Sequence, residues 1–174
     1  SYRLQAAGKL QDAALRMERV VDESPDAYFP RLRLAYLLLL AGKYEASAEA
    51  YRMAALLEPA AIEPQLGLQR AYLALKQYDS AVQAGEEALD RAPGSYEGLS
   101  LLAWSLYLRG DARPAAETYA RVLELYPGDL EMRAGLGWSL LADRKPAEAR
   151  RAFEEVLSAY PEHAGARRGL DACR

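Results

Sequence analysis

Five prolines recur at one interval: Pro25, Pro59, Pro93, Pro127 and Pro161 are each 34 residues apart. A fixed period of this length marks a supersecondary unit stacked on copies of itself, and it constrains the fold more than any other feature of the chain. Other positions fall into step with the prolines. Twelve residues before each stand Ala13, Ser47, Ala81, Ala115 and Ala149, all small. Eight before stand Met17, Tyr51, Gly85, Tyr119 and Phe153, large in four cases of five. Five before come Val20, Ala54, Ala88, Val122 and Val156, and twenty-one before come Leu4, Leu38, Tyr72, Leu106 and Leu140.

The pattern inside one period is that of two helices. From Tyr28, a helical stretch is expected to run to about Ala41, to break at Gly42 and to resume from Tyr44 to about Glu58. Gly8, Gly42 and Gly110 recur at the break, where a residue tolerating positive φ ends a helix. Lys76 and Arg144 replace the glycine in the other repeats, so another turn geometry is expected there. Pro30 and Pro64 fall in the first turn of first helices, and Pro114 and Pro146 in that of second helices, where a missing N–H costs nothing. The 34-spaced prolines close each repeat, because proline cannot continue a helix. Small residues at the Ala13/Ser47/Ala81 series let helix axes approach, and the large residues one turn on fill the space beyond.

The predicted fold is therefore all-α: a right-handed superhelical solenoid of about five antiparallel helix pairs, with no sheet. The chain resembles the tetratricopeptide repeat family. The stretch Leu136-Gly137, Leu140, Ala149, Phe153, Val156, Pro161 reads like the family signature, as do Leu34-Ala35, Leu38, Gly42, Tyr44, Ser47, Tyr51, Ala54 and Pro59. The resemblance covers the whole chain. The 35-residue pentatricopeptide pattern does not fit the period. Starting a repeat at residue 28 gives full copies at 28–61, 62–95, 96–129 and 130–163 within one solenoid segment, 1–174. Residues 1–27 then match the last part of a copy, and 164–174 the start of another. Neither end reads as a polar cap, since Gly165 and Gly169 weaken the last helix. The expectation is a segment of a longer solenoid with apolar ends, at Leu4 and Leu170, that favour weak end-to-end self-association; its compartment is not readable.

One copy departs from the pattern. In 62–95, Gly85 replaces the large residue, and Gln69 sits where Ala35, Ala103 and Gly137 are small. Either Gln69 fills space that Gly85 vacates, or this repeat is locally loose.

Composition excludes several functions. With 22 Lys plus Arg against 25 Asp plus Glu, the formal net charge is −3, and no clustered basic excess points to nucleic acid. The longest apolar run, Leu34 to Ala41, is far short of the roughly 20 residues that span a bilayer. The single cysteine, Cys173, is expected as a free thiol on a frayed end, and the single histidine, His163, in an exposed turn. No His/Cys/carboxylate cluster has metal-ligand spacing, and Gly135-Leu136-Gly137 is a helix-packing feature, not a phosphate loop. No catalytic constellation, metal site or cofactor is expected.

The resemblance implies binding on the concave surface lined by first helices. On a helical wheel the core positions Leu34, Ala35 and Leu38 cluster on one side, and Tyr36 projects roughly 150° from their centre. Its equivalents at 34-residue steps are Tyr2, Arg70, Trp104 and Trp138, a series holding both tryptophans of the chain. Phe29, Leu32, Leu39, Leu40 and Tyr107 flank it. An exposed aromatic series of this kind marks a binding surface; the alternative is that the rings pack on neighbouring first helices and thicken the core. The carboxylate clamp of resembling co-chaperones is absent, because its Lys and Asn positions read Leu32/Tyr36, Leu66/Arg70, Ser100/Trp104 and Ala134/Trp138. The expectation is a non-enzymatic scaffold that takes an extended or helical peptide from a protein partner in an aromatic-lined groove. Two alternatives stay open, both suggested by similar repeats in bacterial secretion or polysaccharide export assemblies: a glycan-contacting solenoid, or a purely architectural one.

Overall fold

The computed structural model describes residues 2–173, with side chains from residue 9 onward; Tyr2 and Leu4 lie outside the described side chains. Among the described residues there are ten α-helices and no strand. They fall into two compact units, residues 1–93 and 94–174. The first holds α1 (Tyr2–Glu23), α2 (Tyr28–Leu40), α3 (Tyr44–Leu57), α4 (Glu63–Ala74) and α5 (Tyr78–Arg91). The second holds α6 (Tyr96–Arg109), α7 (Ala112–Leu125), α8 (Leu130–Ala142), α9 (Pro146–Ala159) and α10 (Ala164–Ala172). Within each unit, a helix packs on its neighbours in sequence, and α2 also touches α4 while α8 touches α6 and α10.

The loops explain this arrangement. Each 34-spaced proline stands two residues beyond the last helical residue of its repeat, and Pro30, Pro64, Pro114 and Pro146 all fall in first turns. Arginines reach back to proline carbonyls: Arg31 to Pro25 and Arg91 to Pro59, both at 2.8 Å. The turns inside the helix pairs share one geometry. Lys43 N–H donates to Leu38 O, Gln77 to Tyr72 O, Asp111 to Leu106 O and Lys145 to Leu140 O, at 2.9–3.0 Å. These are the long bonds of a Schellman motif, which needs a left-handed residue at its centre. Gly42 and Gly110 supply it at φ 75° and 100°. Lys76 and Arg144 supply it too, at φ 58° and 60°, so the different turn geometry expected at these two positions does not occur. The helix packing on either side enforces the turn, and the non-glycine residues bear a strain of about 1–2 kcal/mol.

The first repeat also corrects the sequence reading. Helix α1 runs unbroken through Gly8. The buried stripe of α1 is correspondingly shifted by one position: Ala14 and Val21 are buried, while Val20 is 42% exposed.

Elsewhere the register holds. Ser47, Ala81, Ala115 and Ala149 are fully buried, as are Ala54, Ala88, Val122 and Val156. Ser47 Oγ donates to Ala35 O at 2.8 Å, which satisfies the one hydroxyl in the small series. The large residues act across repeats as well as within them. A Cβ built on Gly135 would sit 2.5 Å from the Tyr119 ring, and one on Gly137 would sit 2.6 Å from the Phe153 ring. Cβ atoms on Gly67 and Gly169 would likewise run into Tyr51 and Phe153. Each ring therefore lies flush on the backbone of the following first helix. The inverted copy differs: Gly85 is buried and Gln69 is 0% exposed, the placement that compensation requires. Neither amide atom of Gln69 has a hydrogen-bond partner.

The chain end is better ordered than its sequence suggests. His163 is buried, not in an exposed turn; its Nδ1 accepts from Ala166 N–H at 3.0 Å as the N-cap of α10. Its Nε2 lies 3.1 Å from Glu131, so the neutral ring satisfies both nitrogens. Cys173 is half-buried instead of frayed, its carbonyl accepts from Arg150 at 3.0 Å, and with Leu170 it packs on the last core cluster.

Candidate aromatic binding site

The first-helix positions singled out by the wheel behave differently in the two units. In residues 1–93, Tyr36 is exposed on α2 with the Arg33 guanidinium 5.9 Å from its ring centre, and Arg70 is exposed on α4. Phe29 is 77% exposed, its ring edge-on to Tyr28 at 5.2 Å. Leu32 and Leu39 do not form an open wall: both are half-buried and pack on the core of their unit.

In residues 94–174 the expected residues come together. Trp104 and Tyr107, one turn apart on α6, stack with ring centres 5.6 Å apart and planes 18° from parallel. Trp104 remains 45% exposed. Opposite them on α8, Trp138 is half-buried, and its ring meets Phe153 edge-on at 5.4 Å. Trp138 is thus part of the local core and does not point away from it, and the Phe153 ring that it meets lies against Gly137. These three rings, with Tyr119, Gly135 and Arg168, line a cavity of about 370 Å³. That volume lies at the lower end of the range for small ligand sites and suits one or two side chains.

Two contributors were not singled out from sequence. Tyr119 belongs to the large core series, and its ring is indeed buried, at 3% exposure. Because Gly135 has no side chain, that ring also forms the cavity floor. Burial, with Tyr107 nearby, raises the Tyr119 pKa well above 10, so the phenol stays protonated. Arg168 on α10 holds the register position of Leu32, Leu66, Ser100 and Ala134, and its departure from that uncharged series was the available signal.

A larger depression, about 490 Å³, lies between α7, α8 and α9, with Leu123, Arg133, Leu136 and Arg151 on its walls. Its counterpart two repeats earlier, about 330 Å³, has Ala55, Gln65, Leu68 and Gln83 at the matching positions. It is what neighbouring second helices of this repeat make in general, and in the second unit the Arg133–Glu155 ion pair crosses it. The aromatic cavity is the more particular feature. Among the described residues no three His, Cys, Asp or Glu gather to hold a metal, and no helix is long and apolar enough to cross a membrane.

Comparison with known proteins agrees with this architecture. One tetratricopeptide repeat model matches residues 72–138, and a second matches 2–62 and 134–170. No curated protein matches the sequence significantly. Among solved structures, YrrB, described as a tetratricopeptide repeat protein with an unusual peptide-binding site, is 23% identical with a TM-score of 0.79 over 90% of this chain and 81% of its own. MamA from Desulfovibrio magneticus RS-1 is 16% identical with a TM-score of 0.82, over 94% and 92% of the two chains. A thermophilic tetratricopeptide repeat protein from Thermus thermophilus is 21% identical with a TM-score of 0.67, over 98% and 94%. At such identities the likeness speaks for the fold, while the family models account for most of the sequence between them. The chain belongs to the tetratricopeptide repeat family, whose members generally mediate protein–protein interaction.

Proposed function

We propose that the chain is a non-enzymatic interaction module that anchors an extended or helical peptide of a protein partner in the cavity formed by Trp104, Tyr107, Tyr119 and Trp138. The observation that carries this reading is the concentration of four aromatic rings around one cavity whose floor is opened by Gly135. Apolar pockets with few polar groups take side chains as anchors, and rings that are already packed lose little freedom on binding. Tyr36 and Arg70 offer further contacts on the first-helix face of residues 1–93, with Phe29 at its margin. A structural neighbour described as having a peptide-binding site makes peptide the class to test first. A glycan site would be expected to flank its rings with carboxylates and amides, and this lining holds neither.

The test pairs stability with binding for Trp104→Ala. The residue is exposed and contacts chiefly Tyr107, so its melting point should be nearly unchanged while peptide capture falls. A collapsed melting point would make Trp104 a core residue. An unchanged affinity would place binding elsewhere.

A further inference from the structure

We infer that the aromatic cavity selects an acidic peptide motif: a large apolar or aromatic residue followed, about two or three positions on, by an aspartate or glutamate. This rests on the peptide reading above and names the sequence class that the same site takes.

The argument begins with what is charged. Of the residues lining the cavity, Arg168 alone carries a formal charge. The chain has 25 acidic residues, and several of its other arginines hold carboxylates. Arg52 pairs with Glu49, Arg113 with Glu117, and Arg133 with Glu155. Even Arg167, adjacent in sequence, bonds Glu162 at 2.8 Å. Arg168 is exposed and has neither an ion pair nor a hydrogen bond among the described residues. A planar guanidinium left open at the rim of an apolar cavity is suited to a carboxylate, which it can hold through two parallel bonds.

The second observation is independent of the first. Tyr119 is almost wholly buried, yet its hydroxyl has no hydrogen-bond partner among the described residues. Tyr119 lines the cavity, so its hydroxyl gives the floor a donor for an acceptor that enters. Both polar groups therefore ask for acceptors, and neither suits a cation. Four rings could otherwise have formed a cage for an ammonium group, but Arg168 opposes that occupant.

Spacing sets the motif. The apolar residue sits between Trp104 on α6 and Trp138 on α8, and the carboxylate lies toward α10. Neighbouring helices are about 8–10 Å apart and an extended chain advances about 3.3–3.6 Å per residue, which gives the separation stated above.

The experiment is selection of a phage-displayed library of random dodecapeptides on the chain, counter-selected on Trp104→Ala and repeated on Arg168→Glu. The wild-type pool should enrich for Trp, Phe or Leu followed at that spacing by Asp or Glu. The Arg168→Glu pool should lose the acid and gain Lys or Arg. The most enriched peptide, synthesised, should bind Arg168→Gln about tenfold more weakly than wild type, the size of one charge-assisted hydrogen bond. It should also bind Tyr119→Phe more weakly, although that variant keeps the ring. A pool that depends on Trp104 but shows no acidic preference, or a basic one, overturns this inference and leaves the peptide reading standing. Absence of any Trp104-dependent enrichment overturns both.

Discussion

Moved forward by two repeats, 68 residues, the first-helix face of residues 1–93 matches that of 94–174 position by position. Tyr51 corresponds to Tyr119 and Gly67 to Gly135: in both units a buried tyrosine ring lies flush on a glycine of the following first helix. Above that shared floor the two units diverge. Tyr36 corresponds to Trp104, Leu39 to Tyr107 and Arg70 to Trp138. In the first unit the outer layer is a tyrosine beside Arg33, a half-buried leucine and an exposed arginine. In the second it is a stacked Trp–Tyr pair facing an anchored tryptophan. What repeats is what packing dictates, and what does not repeat is free to carry recognition. The proposed site lies in the layer that does not repeat.

The largest expected effects fall on the two tryptophans, and they should fall differently. Trp138→Ala removes a ring that packs on Phe153, so it should cost about 2 kcal/mol of stability, roughly half of a full core truncation, as well as binding. Trp104→Ala should change stability by less than about 0.5 kcal/mol and weaken peptide binding by about 2 kcal/mol or more. Denaturant titrations and affinities for both variants decide the matter. Equal losses of stability would abolish the distinction between an anchored and an exposed ring.

The shared floor makes the opposite prediction, of equality between the units. Gly67→Ala and Gly135→Ala each drive a methyl group into a buried tyrosine ring. Overpacking of about 1–3 kcal/mol should outweigh the roughly 1 kcal/mol that alanine gains in a helix. Both variants should lose stability by similar amounts in urea unfolding. If only one did, the correspondence between units would fail at its base.

A smaller effect of opposite sign is expected at the left-handed turns. Lys76→Gly and Arg144→Gly should each stabilise by about 0.5–1 kcal/mol, because glycine adopts φ near 60° without strain but loses more chain entropy on folding. Gly42→Ala and Gly110→Ala should move the other way. Thermal melts of the four variants test whether one turn geometry serves every repeat.

Most of the fold was legible because period and packing speak the same language. The 34-residue series located the helices, the closing prolines and the buried small positions from residue 28 onward. What sequence missed was context. Nothing local distinguishes Gly8 from Gly42, yet α1 continues through the first and α2 ends before the second. Lys76 and Arg144 look unfit for a left-handed turn, and tertiary packing overrules their preference. His163 reads as a loop histidine until Glu131, 32 residues away, is brought to its ring. Of the residues that line the aromatic cavity, the helical wheel singles out Trp104, Tyr107 and Trp138. It could not find Tyr119, whose ring serves core and cavity at once, or Arg168, which joins the cavity from the next first helix. The domain reading of one segment with full repeats from residue 28 stays a proposal. Ala115→Leu and Ala149→Leu, at fully buried positions, should damage stability more than Pro127→Ala at a helix end.

The smallest effect concerns a second pair of matched positions at the start of the repeats. Tyr96 OH donates to Asp129 Oδ2 at 2.6 Å, and Asp129 Oδ1 in turn accepts from Met132 N–H as the N-cap of α8. Two repeats earlier the same positions are Tyr28 and Ala61, and the buried Tyr28 hydroxyl has no partner. Both phenols hold their protons above the ordinary value for different reasons: Tyr28 chiefly through burial, and Tyr96, pushed up to about 12, chiefly through its bond to Asp129. Tyr96→Phe should therefore destabilise by about 0.5–1 kcal/mol, the net worth of a partly exposed hydrogen bond, while Tyr28→Phe should be neutral or slightly stabilising. The sign with pH follows from the neutral form being the one that bonds. A folded-state pKa raised from 10 to about 12 means that the Tyr96 contribution is full below pH 10 and is lost as pH climbs from 10 toward 12. Urea unfolding of wild type and Tyr96→Phe at neutral pH and across that alkaline window should give stability curves that converge as pH rises. Curves that stay parallel would show that the Asp129 bond adds nothing to the fold, and that the two units do not differ at this position after all.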